Sequence, residues 1–160
     1  MKTAIKLFKL SFVIFLLISC KTEDLILKAL EEIPQTKYYS TDIIPDQYSN
    51  IYGTWKMADT SGGIIGKGYK KDFDKLVLKK NGIFGIVRND SLISYGKLTL
   101  LPIIDMGIQY KLFCRFDFEK MVNIQLYHDV EKYIQLITKD SLNLVAPCCD
   151  RYNFHLVRVK

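Results

Sequence analysis

The chain has 160 residues, 49% of them hydrophobic and 25% charged, with 23 Lys and Arg against 17 Asp and Glu and a formal net charge of +6. That length fits one domain with enough chain to bury a sizeable core. No block of five or six like charges occurs, so the clustered Lys and Arg that nucleic-acid binding draws on are missing and no nucleic-acid partner is expected.

The first nine residues carry Lys2, Lys6 and Lys9 and no acid, and residues 10–18 are apolar apart from Ser11. A basic start, a short apolar core and a small residue before a cut describe a secretory signal. A spanning helix takes roughly 20 apolar residues; this run is about half that and runs into Lys21, Glu23 and Asp24. Leu17-Ile18-Ser19-Cys20 resembles the lipobox of bacterial lipoproteins. The resemblance implies cleavage before Cys20, a diacylglyceryl group on its sulfur and acylation of the new amine, palmitate included. The membrane is then the expected partner, held through lipid on Cys20, because two or three chains anchor a protein where one is marginal. It also implies export to the cell envelope, at the outer membrane, with the face left open. The Asp directly after the cysteine that is associated with inner-membrane retention is absent. Lys21-Thr22-Glu23-Asp24 is similar to the Lys-plus-acid export signals of some surface lipoproteins. Removing residues 1–19 takes three lysines from the 23 basic residues, leaving 20 against 17 acids, so the mature charge is about +3.

Residues 20–50 read as a tether. Ile26, Ala29, Leu30 and Ile33 stand at i, i+3, i+4 and i+7, one apolar stripe of a short helix that Pro34 ends. Glu31 and Glu32 against Lys28 argue for packing on the domain rather than on a membrane surface, where such a helix is basic.

From residue 51 to the end the pattern is strands and turns. Asn81-Gly82 predicts a type I′ hairpin turn between residues 73–80 and 83–88. That turn puts Leu76 opposite Val87 and Leu78 opposite Gly85 on one face, with a partly wet face behind them. Gly85 in mid-strand suggests a bulge or bend. Residues 92–100 form the next strand, stopped by Pro102. In residues 109–118, Tyr110, Leu112, Cys114, Phe116 and Phe118 alternate with polar neighbours. Val122, Ile124 and Leu126 continue as another strand, with a three-residue turn at Glu119-Lys120-Met121 setting Phe116 opposite Ile124 and Cys114 opposite Leu126. Residues 131–138 and 142–146 make a hairpin across Lys139-Asp140, and residues 151–159 close the chain with Tyr152, Phe154 and Leu156 on one face. About nine short strands at regular spacing predict an all-β fold, an eight- to nine-stranded antiparallel up-and-down barrel.

Gly53-Thr54-Trp55 at the head of the first strand resembles the Gly-X-Trp signature of lipocalins, and the closing hairpin through Arg158 is similar to that of bacterial lipocalin-like domains on anchored lipoproteins. The resemblance covers residues 51–160 and divides the chain into a signal peptide (1–19), a lipid-anchored tether (20–50) and a lipocalin-like barrel domain (51–160). It implies that Gly53, Trp55 and Arg158 close one end of the barrel, the arginine lying on the indole in a cation–π contact. It also implies a pocket for a small hydrophobic ligand, lined by Leu112, Phe116, Ile124, Leu126, Tyr152 and Phe154. The other reading is a filled core and a non-enzymatic envelope interaction or structural module. Its loops and tyrosines (Tyr38, Tyr39, Tyr48, Tyr52 and Tyr69) would then form the working surface and meet a protein partner of unspecified kind.

Catalytic and metal chemistry find little footing. No Gly-X-Ser-X-Gly, no His-Glu-X-X-His and no nucleophile beside a base is present, so no enzyme and no cofactor are expected. Residues 61–68, Ser-Gly-Gly-Ile-Ile-Gly-Lys-Gly, lack the strand-to-helix setting and the Gly-Lys-Ser/Thr of a phosphate cradle and read as a loop over the open end. His128 with Asp129 and Glu131 reads as a rim cluster rather than a metal site. His155 is expected to face outward, and Asp72 and Asp74 to sit at a solvated strand end. Cys114 can pair with Cys148 or Cys149 in an oxidising compartment, or all three stay free thiols.

Overall fold

The computed structural model describes residues 24–32, 46–63, 71–103, 112–148 and 150–160. Cys20 and the rest of the lipobox, most of the tether, residues 64–68 of the glycine-rich loop, Tyr38, Tyr39, Tyr69, Tyr110 and Cys149 lie outside them. The chain divides into two compact units, residues 1–35 and 36–160. In the first, residues 24–31 are helical, and Glu32 N–H donates to Lys28 O at 3.1 Å. Ile26 and Leu30 are buried there, whereas Ala29 is exposed, so the apolar stripe is narrower than its spacing suggests.

The second unit is a closed eight-stranded antiparallel barrel. A 3-10 helix, Asp46–Ile51, leads into β1 (Gly53–Gly62), β2 (Lys75–Leu78), β3 (Ile83–Arg88), β4 (Ser91–Pro102), β5 (Leu112–Phe118), β6 (Glu131–Thr138), β7 (Ser141–Val145) and β8 (Tyr152–Arg158). Each strand pairs with the next, and β8 pairs with β1, so no strand edge is left open. Alternation is the reason the sheet closes. On β5, Leu112, Cys114 and Phe116 point in while Arg115 points out; on β7 and β8, Leu142, Leu144, Phe154 and Leu156 point in. Among the described residues, twenty buried side chains form one core inside the barrel. Register breaks between Met57 and Asp59, Ile86 and Val87, and Leu136 and Thr138 bend the strands as barrel closure requires.

The β2–β3 turn differs from its sequence reading. Lys79 N–H donates to Ile83 O at 2.9 Å and Gly82 N–H to Lys79 O at 3.2 Å, a three-residue loop in which only Gly82 takes positive φ (74°). This is a turn with a following left-handed residue, not a type I′ turn. The extra residue slips the register by one: Leu76 faces Ile86 and Leu78 faces Phe84. A one-residue slip exchanges faces, so Ile86 and Phe84 line the core in place of Val87 and Gly85. The face turned away from the core is buried too, at Val77, Ile83 and Val87. The two-residue turn with both residues at positive φ is Asn89-Asp90 (50° and 54°), between Arg88 and Ser91.

The strand expected at residues 122–127 does not form. β5 pairs with β6 instead, Cys114 facing Lys132 and Leu112 facing Ile134, so the partner positions assigned to Ile124 and Leu126 are taken. Residues 125–128 make one helical turn, with Tyr127 N–H to Ile124 O at 3.1 Å. Ile124 and Leu126 are nevertheless buried, because a segment dipping over a barrel end can meet the same period-two burial as a strand.

Candidate functional site

At the end where β1 begins, Trp55 is fully buried and its Nε1–H donates to Ile51 O at 2.7 Å. The Arg158 guanidinium lies 4.2 Å from the indole centre. Its Nε donates to Lys139 O at 2.8 Å, Nη1 to Tyr52 O at 3.0 Å and Nη2 to Asn50 O. Arg158 thus ties the last strand to the 3-10 helix and the β6–β7 turn. Gly53, at φ 141°, has no room for a side chain, since a Cβ would collide with Nη1 of Arg158. Tyr48 and Tyr52 pack against the core here rather than forming an outer surface, and burial pushes the Tyr52 phenol upward in pKa.

The six candidate ligand residues come together. Leu112, Phe116, Ile124, Leu126 and Phe154 are all buried in the single core, and Tyr152 packs on it half-buried. Rings pack among them: Phe84 meets Phe116 edge to face at 5.0 Å and Phe118 at 4.8 Å, and Phe73 lies tilted 5.8 Å from Phe154.

The opposite end, reached by the loops after β1, β3, β5 and β7, holds the charges that the sequence did not single out. Lys132 is fully buried, in phase with Ile134 on the inner face of β6. Its Nζ is ion-paired with the Asp129 carboxylate and stands 5.5 Å from the Phe154 ring centre. Asp129 is 2% exposed and also accepts from Arg151 Nη1 at 2.8 Å, while the arginine itself is 46% exposed. Burial lowers the Lys132 pKa and the Asp129 carboxylate opposes that shift; Arg151 is raised by its hydrogen bond to Asp129. A lysine in phase with Ile134, with an acid three residues earlier, was the available signal. His128 is exposed, its ring 5.4 Å from that of Tyr127, and Asp129 is committed to cations. Among the described residues no group of three or more His, Cys, Asp or Glu could hold a metal.

The aspartates read as solvated are structural ties. Asp72 Oδ2 accepts from Gln125 N–H at 2.6 Å, and its carbonyl accepts from Arg88 Nε at 2.5 Å. Asp74 accepts from Asn89 N–H at 2.7 Å, which holds its carboxyl below the usual range. His155 meets Asn143 Oδ1 at 2.6 Å across β7 and β8. Cys114, free and buried inside the barrel, has its pKa pushed up by burial; Cys148 is exposed in the β7–β8 loop.

The fold and these ends define the class: a closed antiparallel barrel, apolar within, plugged by aromatic side chains and an internal ion pair. No family model matches the chain, and no curated protein and no solved structure matches it.

Proposed function

We propose that this chain is a lipid-anchored protein of the bacterial cell envelope whose working part is a lipocalin-like barrel without catalytic chemistry. Cys20 carries the lipid, residues 20–50 are the tether, and the barrel stands in water near the outer membrane. Gly53-Thr54-Trp55 opening β1 and Arg158 stacked on the indole support the family reading. Polarity supports the placement: the interior is apolar, and Lys56, Asp59 and Arg115 face out, the reverse of a membrane-spanning barrel.

One observation favours an interaction module over a ligand carrier, namely that the candidate ligand residues belong to one packed core. A barrel of about eight strands is either packed by its own side chains or holds one small ligand, and here the candidate ligand residues pack on one another. At rest the barrel is therefore an envelope interaction module working through its loops and outer face. Native mass spectrometry of the detergent-extracted protein tests both parts. The expected species is acylated at Cys20 and carries no small molecule. A stoichiometric ligand overturns the module reading, and an unacylated mass overturns the anchor. The second reading, a small hydrophobic ligand, is favoured by one feature: Ile124 and Leu126 reach the core from a segment that is not a strand.

A further inference from the structure

We infer that residues 119–130 are an internal plug whose apolar side chains and carboxylate occupy a site for an amphipathic monocarboxylate, and that such a ligand binds by displacing them. This rests on the second reading, a small ligand, and deepens it by naming the ligand's class and how it enters.

Three observations carry it. First, β5 and β6 are adjacent paired strands, which loops of about two to five residues normally join, yet twelve residues lie between Phe118 and Glu131. The excess chain is spent on filling the barrel end, with Ile124 and Leu126 in the core while Met121 is 79% exposed. Second, the segment is fastened mainly at its margins. Glu119 N–H donates to Tyr95 O and Phe116 N–H to Val130 O, both at 3.0 Å, marking its two ends. Between them, Ile124, Tyr127 and Asp129 direct their N–H groups to Val122, Ile124 and Leu126 within the segment itself. The ties to the barrel wall run through side chains: Ser94 Oγ to Lys120 O at 2.9 Å, Gln125 N–H to Asp72, and Asp129 to Lys132 and Arg151. A segment held in this way opens at lower cost than paired strands.

Third, the plug has the chemistry of its own replacement. Two aliphatic side chains lie in an aromatic core, and one carboxylate is paired with a fully buried lysine beside the Phe154 ring. If the plug leaves, Lys132 loses its counter-ion, and an unpaired buried charge is strongly unfavourable. Opening is therefore disfavoured until another carboxylate arrives to accept from Lys132 Nζ and Arg151, with its chain in the room vacated by Ile124 and Leu126. A neutral apolar molecule fills that room without restoring the ion pair.

The test titrates the full-length protein with cis-parinaric acid, a fluorescent monocarboxylate, and with uncharged N-phenyl-1-naphthylamine, alongside hydrogen exchange. In the wild type the acid is expected to bind one per chain and to speed exchange of amides 121–129 at least tenfold while β1 and β8 stay protected. Asp129→Asn removes the competing carboxylate and should tighten acid binding tenfold or more over the neutral probe; adding Lys132→Met should abolish that preference. Should Asp129→Asn not fold, Asp72→Asn loosens the plug from its other side and is expected to tighten acid binding in the same direction. Equal affinity for both probes, or acid binding that leaves exchange at 121–129 unchanged, overturns the plug. One acid per chain decides for the ligand reading against the module reading; neither outcome bears on the acylation of Cys20, so the anchor fails separately.

Discussion

Three residues show how much a single position can carry. Lys132 is buried against Asp129, and its worth lies in the pairing: removing one partner of a buried ion pair costs about 3–5 kcal/mol, whereas replacing both by apolar groups is often neutral. Arg151 still faces Asp129, so Lys132→Met is expected to lose about 3 kcal/mol in urea unfolding, and Lys132→Met with Asp129→Leu to recover most of it. Gly96 faces the backbone of β5, where a Cβ would collide with the carbonyl of Asp117. Because the obstacle is backbone, Gly96→Ala should cost about 1–3 kcal/mol, read as a lower urea midpoint at unchanged slope. Trp55 reports the closed end. Arg158→Ala removes the cation over the indole and the hydrogen bonds to Tyr52 and Lys139, so it should shift the tryptophan emission and lower stability by about 2 kcal/mol.

Turns decide how the strands meet. The β2–β3 loop needs Gly82 at φ 74°, and Gly82→Ala is expected to cost about 1–2 kcal/mol by thermal melting, because the left-handed conformation crowds a Cβ. Asp74 ties the approach to β2 to the β3–β4 turn through Asn89 N–H. Its folded pKa lies below the ordinary 3.8, so the unfolded chain binds the proton more readily. The stability it contributes is complete above that value and is lost as pH falls through and below it. Since the carboxylate is more than a third exposed, the contribution is below about 1 kcal/mol. Asp74→Asn should flatten the acid limb of the melting curve between about pH 4 and pH 2 and leave neutral pH nearly unchanged. Asn81-Gly82 and Asn89-Asp90 show why such turns mislead: Asn-Gly is the stronger type I′ signal, yet the strands flanking it set a three-residue loop.

For the molecule as a whole, the proposal assigns attachment and work to different parts of the chain. Among the described residues no helix is long and apolar enough to cross a membrane. If lipid on Cys20 is the anchor, Cys20→Ser should move the protein to the soluble fraction with the barrel's melting temperature unchanged; retention in the membrane fraction would count against the proposed anchor. The barrel itself was legible from pattern, because inward and outward side chains alternate along β1, β5, β7 and β8 whatever lies beside them. The pairing of Trp55 with Arg158 was expected from the resemblance to lipocalins alone, not from alternation. Period-two burial is a property of a single segment, and one chain of letters displays it. Pairing is a property of two segments, and it governed the rest. The β2–β3 slip turned Ile86 and Phe84 inward, and β6 took the partner positions that residues 122–127 seemed to claim. Lys132 was carried inside by its phase with Ile134 and paired there with an acid from the neighbouring loop. Such choices are settled by which backbone groups find partners and which charges find counter-ions, and both are decided only when distant parts of the chain meet.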